Sequence, residues 1–179
     1  MKGFGDQNKL NKKQEKISKA IKPSKEQIYN QAIHFHSKGN IIEAAKYYQY
    51  FINQGFEDYG VFSNYGVILK GLGKLKEAEF CYRKAIKINP DFYKAHFNLG
   101  NGLKDLGKLK EAKFSYLKAI EINPDFADAY SNLGNALRDL GNLHKAEIAF
   151  RKAIKINPNF AIFHSNLGGI LKDLGKLKE

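Results

Sequence analysis

The sequence predicts an all-α chain of stacked helical hairpins, and three observations carry that reading. The stretch Tyr93 to Phe126 returns 34 positions later as Ala127 to Phe160, and it stands 34 positions earlier as Tyr59 to Phe92. The punctuation keeps the same step, with Pro90, Pro124 and Pro158 in one series and Gly39, Gly73, Gly107, Gly141 and Gly175 in the other. Between those marks, apolar residues recur every three or four positions, the spacing of one helix face. A fixed period of this length builds a quasi-linear array in which each unit buries its apolar face against the next.

Taken in order, the chain opens on a basic stretch, residues 1–23. It carries Lys2, Lys9, Lys12, Lys13, Lys16, Lys19 and Lys22 against Asp6 and Glu15. Charge of one sign and few apolar residues predict a mostly disordered tail. Pro23 separates it from Ser24-Lys25-Glu26-Gln27, which has the spacing of a capping box and starts the folded part. Residues 24–58 keep the register less faithfully. Gly39, Ala44 and Tyr48 fall in place, but Phe51 stands where later units have alanine, and Gln31 replaces a leucine. An end repeat with one face toward water is expected to deviate in this way.

Residues 59–92, 93–126 and 127–160 are full units. In the middle one, His96, Leu99, Leu103 and Leu106 form one apolar stripe, with His96 and His164, which share the column of Phe62 and Tyr130, read as packing residues. Gly107 ends that helix, since glycine enters the left-handed region at little cost. Leu109, Ala112, Tyr116, Ala119 and Ile120 form a second stripe, and Pro124 forbids its continuation. Asp91, Asp125 and Asn159 are placed to cap the helices that follow. The small pairs Gly66/Ala78, Gly100/Ala112 and Gly134/Ala146 let two backbones lie close, with Tyr82, Tyr116 and Phe150 filling the space beside them. Residues 161–179 repeat the first helix and enter the second. That predicts a truncated unit whose Leu167, Leu171 and Leu174 are poorly covered, either in a fragment of a longer protein or at a self-association surface.

His96, Leu99-Gly100, Leu103, Gly107, Ala112, Tyr116, Ala119 and Pro124 together resemble the tetratricopeptide repeat (TPR) motif at the family's spacing. The resemblance covers Lys25 to Glu179. It implies a right-handed superhelix whose first helices line a concave groove, and a protein that binds peptides or proteins without chemistry of its own.

On the first helices a polar stripe runs apart from the apolar one: Lys94, Asn98, Asn101 and Asp105 in the middle unit. Its asparagine recurs at Asn30, Asn64, Asn98, Asn132 and Asn166, and a second one at Asn101 and Asn135. A carboxamide both donates and accepts, so a column of them pairs with a peptide backbone whatever the side chains. The column resembles the asparagine ladder of O-linked N-acetylglucosamine transferase TPR arrays. That likeness implies an alternative reading, a substrate-recruiting arm for a glycosyl- or sulfotransferase-type domain beyond Glu179. Beside the column run Lys70, Lys104, Arg138 and Lys172, then Asp105, Asp139 and Asp173, charges suited to selecting ligand side chains. The two-carboxylate clamp of chaperone-binding TPR domains is not expected. Phe97 or Ser131, and Asn132 or Asn166, occupy the places where that clamp needs its cations.

Composition narrows the other classes. The chain has 179 residues, 43% of them apolar, and no run able to span a bilayer. It lacks a secretion signal, and Cys81 stands alone, so the expected compartment is cytoplasmic. A net charge of +12 favours phosphate partners in principle. Arginine, the preferred phosphate fork, appears only at Arg83, Arg138 and Arg151, and the abundance of Lys, Asn, Ile and Phe matches AT-rich coding. Nucleic acid is therefore not the expected partner. No phosphate-cradling glycine motif is present. His34 and His36 are two apart and point to different faces, and Cys81 shares a helix-surface column with Ser115 and Ala149. Carboxylates lie toward solvent, without a pocket to perturb them. No catalytic centre, metal site or cofactor is expected.

Overall fold

The computed structural model describes residues 23–176. The basic stretch before Pro23 lies outside them, as do residues 177–179. The described residues hold nine helices and no strand. They are α1 (Lys25–Ser37), α2 (Ile41–Asn53), α3 (Tyr59–Gly71), α4 (Leu75–Ile88), α5 (Tyr93–Asp105), α6 (Leu109–Ile122), α7 (Ala127–Asp139), α8 (Leu143–Ile156) and α9 (Ala161–Asp173). The chain divides into two compact units, Met1–Phe51 and Ile52–Glu179.

The first unit starts with the expected capping box. Gln27 N donates to Ser24 Oγ at 3.2 Å, and Ser24 N donates back to Gln27 Oε1 at 2.9 Å. This reciprocal pair satisfies two of the donors a helix start leaves open. Ile28 and Ala32 of α1 and Ala44, Tyr48 and Phe51 of α2 are fully buried, because both helices carry apolar residues at three- and four-residue steps. Phe35 stacks on Tyr47 with centroids 5.4 Å apart, and Tyr48 Oη lies 3.0 Å from His36 Nδ1 in a hydrogen bond.

In the second unit α3 packs on α4, α5 on α6 and α7 on α8, and each hairpin packs on the next; α9 rests on α8 and α7. Gly107 ends the turn after α5 at φ +74°, a value only glycine adopts without strain.

The inside of each hairpin is a ring seated on a glycine. A Cβ on Gly66 would lie 2.6 Å from Tyr82, one on Gly100 2.5 Å from Tyr116, and one on Gly134 2.7 Å from Phe150. The ring also faces the next hairpin: a Cβ on Gly102 would meet Tyr82 at 3.5 Å. Ala78, Ala85, Ala112, Ala119, Ala146 and Ala153 are completely buried around these rings. Each ring is thus pressed against a backbone, and Tyr82 against two, the close packing that makes a protein interior intolerant of added volume.

Three expectations about individual positions need correction. The residues preceding α5, α7 and α9 are Phe92, Phe126 and Phe160, with no side-chain cap, so Asp91, Asp125 and Asn159 do not cap them. Asn89 and Asn123 instead accept from the backbone N–H of Asp91 and Asp125 and fold the loop. Among the described helices only α3 begins on an acidic cap, Asp58, which accepts from Val61 N at 2.9 Å. His96 and His164 are not core residues: each Nε2–H donates to the carbonyl of the proline six residues back, at 2.8 and 2.6 Å, pinning that loop. Cys81, Ser115 and Ala149 lie in the core and not on a helix surface.

Candidate functional site

The polar stripe on the first helices becomes a column with one side-chain hydrogen bond across each repeat step from α3 to α9. Helical spacing brings Ser63, Asn98, Asn101, Ser131, Asn132 and Asn166 side by side across successive repeats. Asn98 Nδ2 donates to Ser63 Oγ at 3.3 Å, and Asn166 Nδ2 donates to Ser131 Oγ at 3.2 Å. The middle step is different because Phe97 stands where the other repeats have serine. Asn132 Nδ2 therefore turns to Asn101 Oδ1 at 2.8 Å, and the Tyr116 hydroxyl donates to the same oxygen at 2.8 Å.

Asn101 thus sits at a junction. Its carbonyl oxygen accepts twice, which uses its lone pairs and leaves its N–H groups as the available function. Burial, then the charge of Asp105, pushes the Tyr116 phenol well above its ordinary range, so it stays a protonated donor. The equivalent hydroxyl of Tyr82 has no partner among the described residues, because Val67 replaces the asparagine. Asn135 meets the opposite case, Phe150, which has no hydroxyl to offer.

The expected site residues divide by what they already hold. Asn98, Asn132 and Asn166 each spend one donor internally, while no described side chain accepts from or donates to Asn64 or Asn135. All six asparagines, Asn64, Asn98, Asn101, Asn132, Asn135 and Asn166, are half-buried, close enough to the surface to be reached. Lys70 bridges to Asp105 of the next repeat at 2.9 Å. One repeat on, Lys104 makes no ion pair among the described residues, nor does Lys172, and Arg138 approaches only its neighbour Asp139, at 3.9 Å. Three cations thus border the column without a strong internal partner.

The acid–base inventory elsewhere is sparse. Burial, with the charge of Glu77 added, pushes the Cys81 thiol up to about 11, so it is a thiol and not a nucleophilic thiolate. No cluster of three metal-ligating side chains occurs among the described residues, and no described helix is long and apolar enough to cross a membrane. Two carboxylates are perturbed, contrary to expectation. Burial raises Glu79, but hydrogen bonds from Lys108 and Arg83 and their charges outweigh it and hold the group below its usual range. Glu147 is lowered by hydrogen bonds from Lys176 and Arg151. The full clusters are not visible in sequence spacing, because Lys108 and Lys176 come from the repeat after the carboxylate they meet.

Comparison with known proteins gives a consistent result. A profile described as "Tetratricopeptide repeat" matches residues 127–160, and one described as "TPR repeat" matches residues 66–107 and 100–141. No curated protein matches the chain significantly. Among solved structures, MamA 41-end from Desulfovibrio magneticus RS-1 is similar at TM-score 0.79 and 23% identity, over 88% of this chain and 89% of that one. YrrB, described as a TPR protein with an unusual peptide-binding site, is similar at TM-score 0.73 and 26% identity, over 79% and 73%. The first TPR of Spaghetti (RPAP3), bound to an HSP90 peptide, is similar at TM-score 0.64 and 25% identity, over 65% and 93%.

Proposed function

The chain belongs to the tetratricopeptide repeat family, and from that premise we propose that it is a protein-interaction scaffold. It holds an extended peptide or protein segment along the asparagine-bearing face of α3, α5, α7 and α9. The observation that carries this reading is the column itself: carboxamides at one repeat step, half-buried, each with capacity left over. Such groups recognise the peptide unit, which every sequence shares, while Lys104, Arg138 and Lys172 choose among side chains. The HSP90 peptide bound by the Spaghetti domain and the unusual peptide-binding site described for YrrB support the same class of ligand. The likeness to transferase ladders belongs to this proposal as well, as does a cytoplasmic setting.

The experiment is selection of peptides from a displayed library, followed by titration of the best binder into variants. Asn64→Ala with Asn135→Ala is the informative pair, because neither side chain supports the fold through a hydrogen bond. Two lost contacts of about 0.5–1.5 kcal/mol each give roughly 5–150-fold weaker binding at an unchanged Tm. Unchanged affinity in that double variant would remove the column from the site.

A further inference from the structure

Where one repeat meets the next, three equivalent joints recur at the repeat step. In the first, Glu79 of α4 receives Arg83 at 2.8 Å and Lys108 at 2.9 Å, and Arg83 also reaches Glu111 at 3.1 Å. In the third, Glu147 of α8 receives Arg151 at 2.9 Å and Lys176 at 2.6 Å. The central carboxylates are well shielded, with 14% and 13% of the side chain exposed.

The middle joint has lost this arrangement at four positions together. Lys113 stands for Glu79, Leu117 for Arg83, Asn142 for Lys108 and Lys145 for Glu111. Four charges that balance become two positive ones with no carboxylate partner among the described residues. The Asn142 amide turns back to the Leu140 carbonyl at 3.2 Å and does not cross the joint. Lys113 Nζ lies 4.7 Å over the ring of Phe114, an exposed aromatic. What remains is a cleft of about 190 Å³ lined by Lys113, Leu117, Leu133, Leu137, Asn142 and Lys145. On α7 its leucines lie roughly 150° around the helix from Asn132 and Asn135, so it is separate from the asparagine face.

We propose that this cleft is a second docking site, for an acidic segment of a partner protein. A glutamate or aspartate of that segment stands between Lys113 and Lys145 and supplies the negative charge that Glu79 and Glu147 supply in the flanking joints. An apolar neighbour of that residue covers Leu117, Leu133 and Leu137. Charge complementarity fixes the sign of the occupant, and in both flanking joints a well-shielded carboxylate of the chain itself gathers two cations in the same way. Size favours a peptide side chain over a cofactor, since small-molecule sites run to roughly 300–1,000 Å³.

The test uses two labelled peptides, one with a glutamate between leucines and its glutamine counterpart, titrated by fluorescence anisotropy and mapped by amide NMR. The glutamate peptide should shift Lys113, Leu117 and Lys145, and the glutamine peptide should bind about tenfold or more weakly. Lys113→Glu with Leu117→Arg and Asn142→Lys copies the flanking joints. It should close the cleft and reduce binding by a similar factor, with a Tm no lower than the parent's. Lys145→Glu alone gives the same loss without rebuilding the core. Asn64→Ala with Asn135→Ala should leave this binding intact. Equal binding by the closed variant and Lys145→Glu, shifts confined to the asparagine face, or binding to phosphatidylserine vesicles in place of the peptide would each overturn the proposal.

Discussion

Replacing Gly134 by alanine sets two known effects against each other, and the structure decides the sign. In a helix interior, alanine is more favourable than glycine by about 1 kcal/mol. Against that, the new methyl would stand 2.7, 2.8 and 2.9 Å from three atoms of the Phe150 ring. That ring is fully buried and has no open space to enter, so overpacking costs about 1–3 kcal/mol. Gly168 is the same position one repeat on, and a Cβ there meets nothing within 4 Å. Gly168→Ala therefore keeps the propensity gain without the clash. The difference between the two variants isolates the steric term. At about 2–4 °C per kcal/mol, Gly134→Ala should melt roughly 2–12 °C below Gly168→Ala by circular dichroism. A double-mutant cycle with Phe150→Leu should shrink the penalty, because the methyl then faces a smaller neighbour. Equal melting temperatures for the two alanine variants would refute the ring-on-glycine account.

The tyrosine column gives an opposite-signed pair. Tyr82→Phe removes a buried hydroxyl without a partner and should stabilise by about 1–2 kcal/mol, whereas Tyr116→Phe breaks the bond to Asn101 and should cost about 1 kcal/mol, both read by chemical denaturation. Acid should weaken the joints. Glu79 and Glu147 have folded pKa values below the ordinary 4.5, so their contribution is present above that value and is lost as pH falls through the lower folded one. Glu79→Gln with Glu147→Gln should flatten the fall in Tm below about pH 4.5; a parallel fall would contradict it. Asn98→Ala and Asn132→Ala should each cost about 0.5–1.5 kcal/mol of stability, unlike Asn64→Ala, because they break bonds to Ser63 and Asn101.

The architecture was legible because two residue types at fixed separation determine it. Gly100 and Tyr116 recur one repeat away as Gly134 and Phe150, and the spacing of small and large residues describes the hairpin interior directly. The buried status of Cys81 was also within reach: Ala78, Cys81, Tyr82 and Ala85 follow one helix face, which makes the buried stripe wider than the leucine pattern suggests. His96 misled because it shares a column with Phe62, yet a histidine can reach a loop carbonyl that a phenyl ring cannot use. The polar column was visible as a list of asparagines, but not its bonding. Whether Asn132 turns to a serine or to Asn101 depends on Phe97, a residue in the preceding repeat. The middle joint was hidden for the same reason: Lys113 and Leu117 of α6 acquire meaning only beside Asn142 and Lys145 at the start of α8.

The central claim is that the asparagine face binds an extended polypeptide. The most direct test is amide NMR of the chain titrated with a peptide selected from a displayed library. The account predicts shifts that follow the column through Asn64, Asn98, Asn132 and Asn166, reduced by Asn64→Ala with Asn135→Ala at constant Tm. Selected peptides whose shifts never touch α3, α5, α7 or α9, or a library that yields no binder, would contradict it.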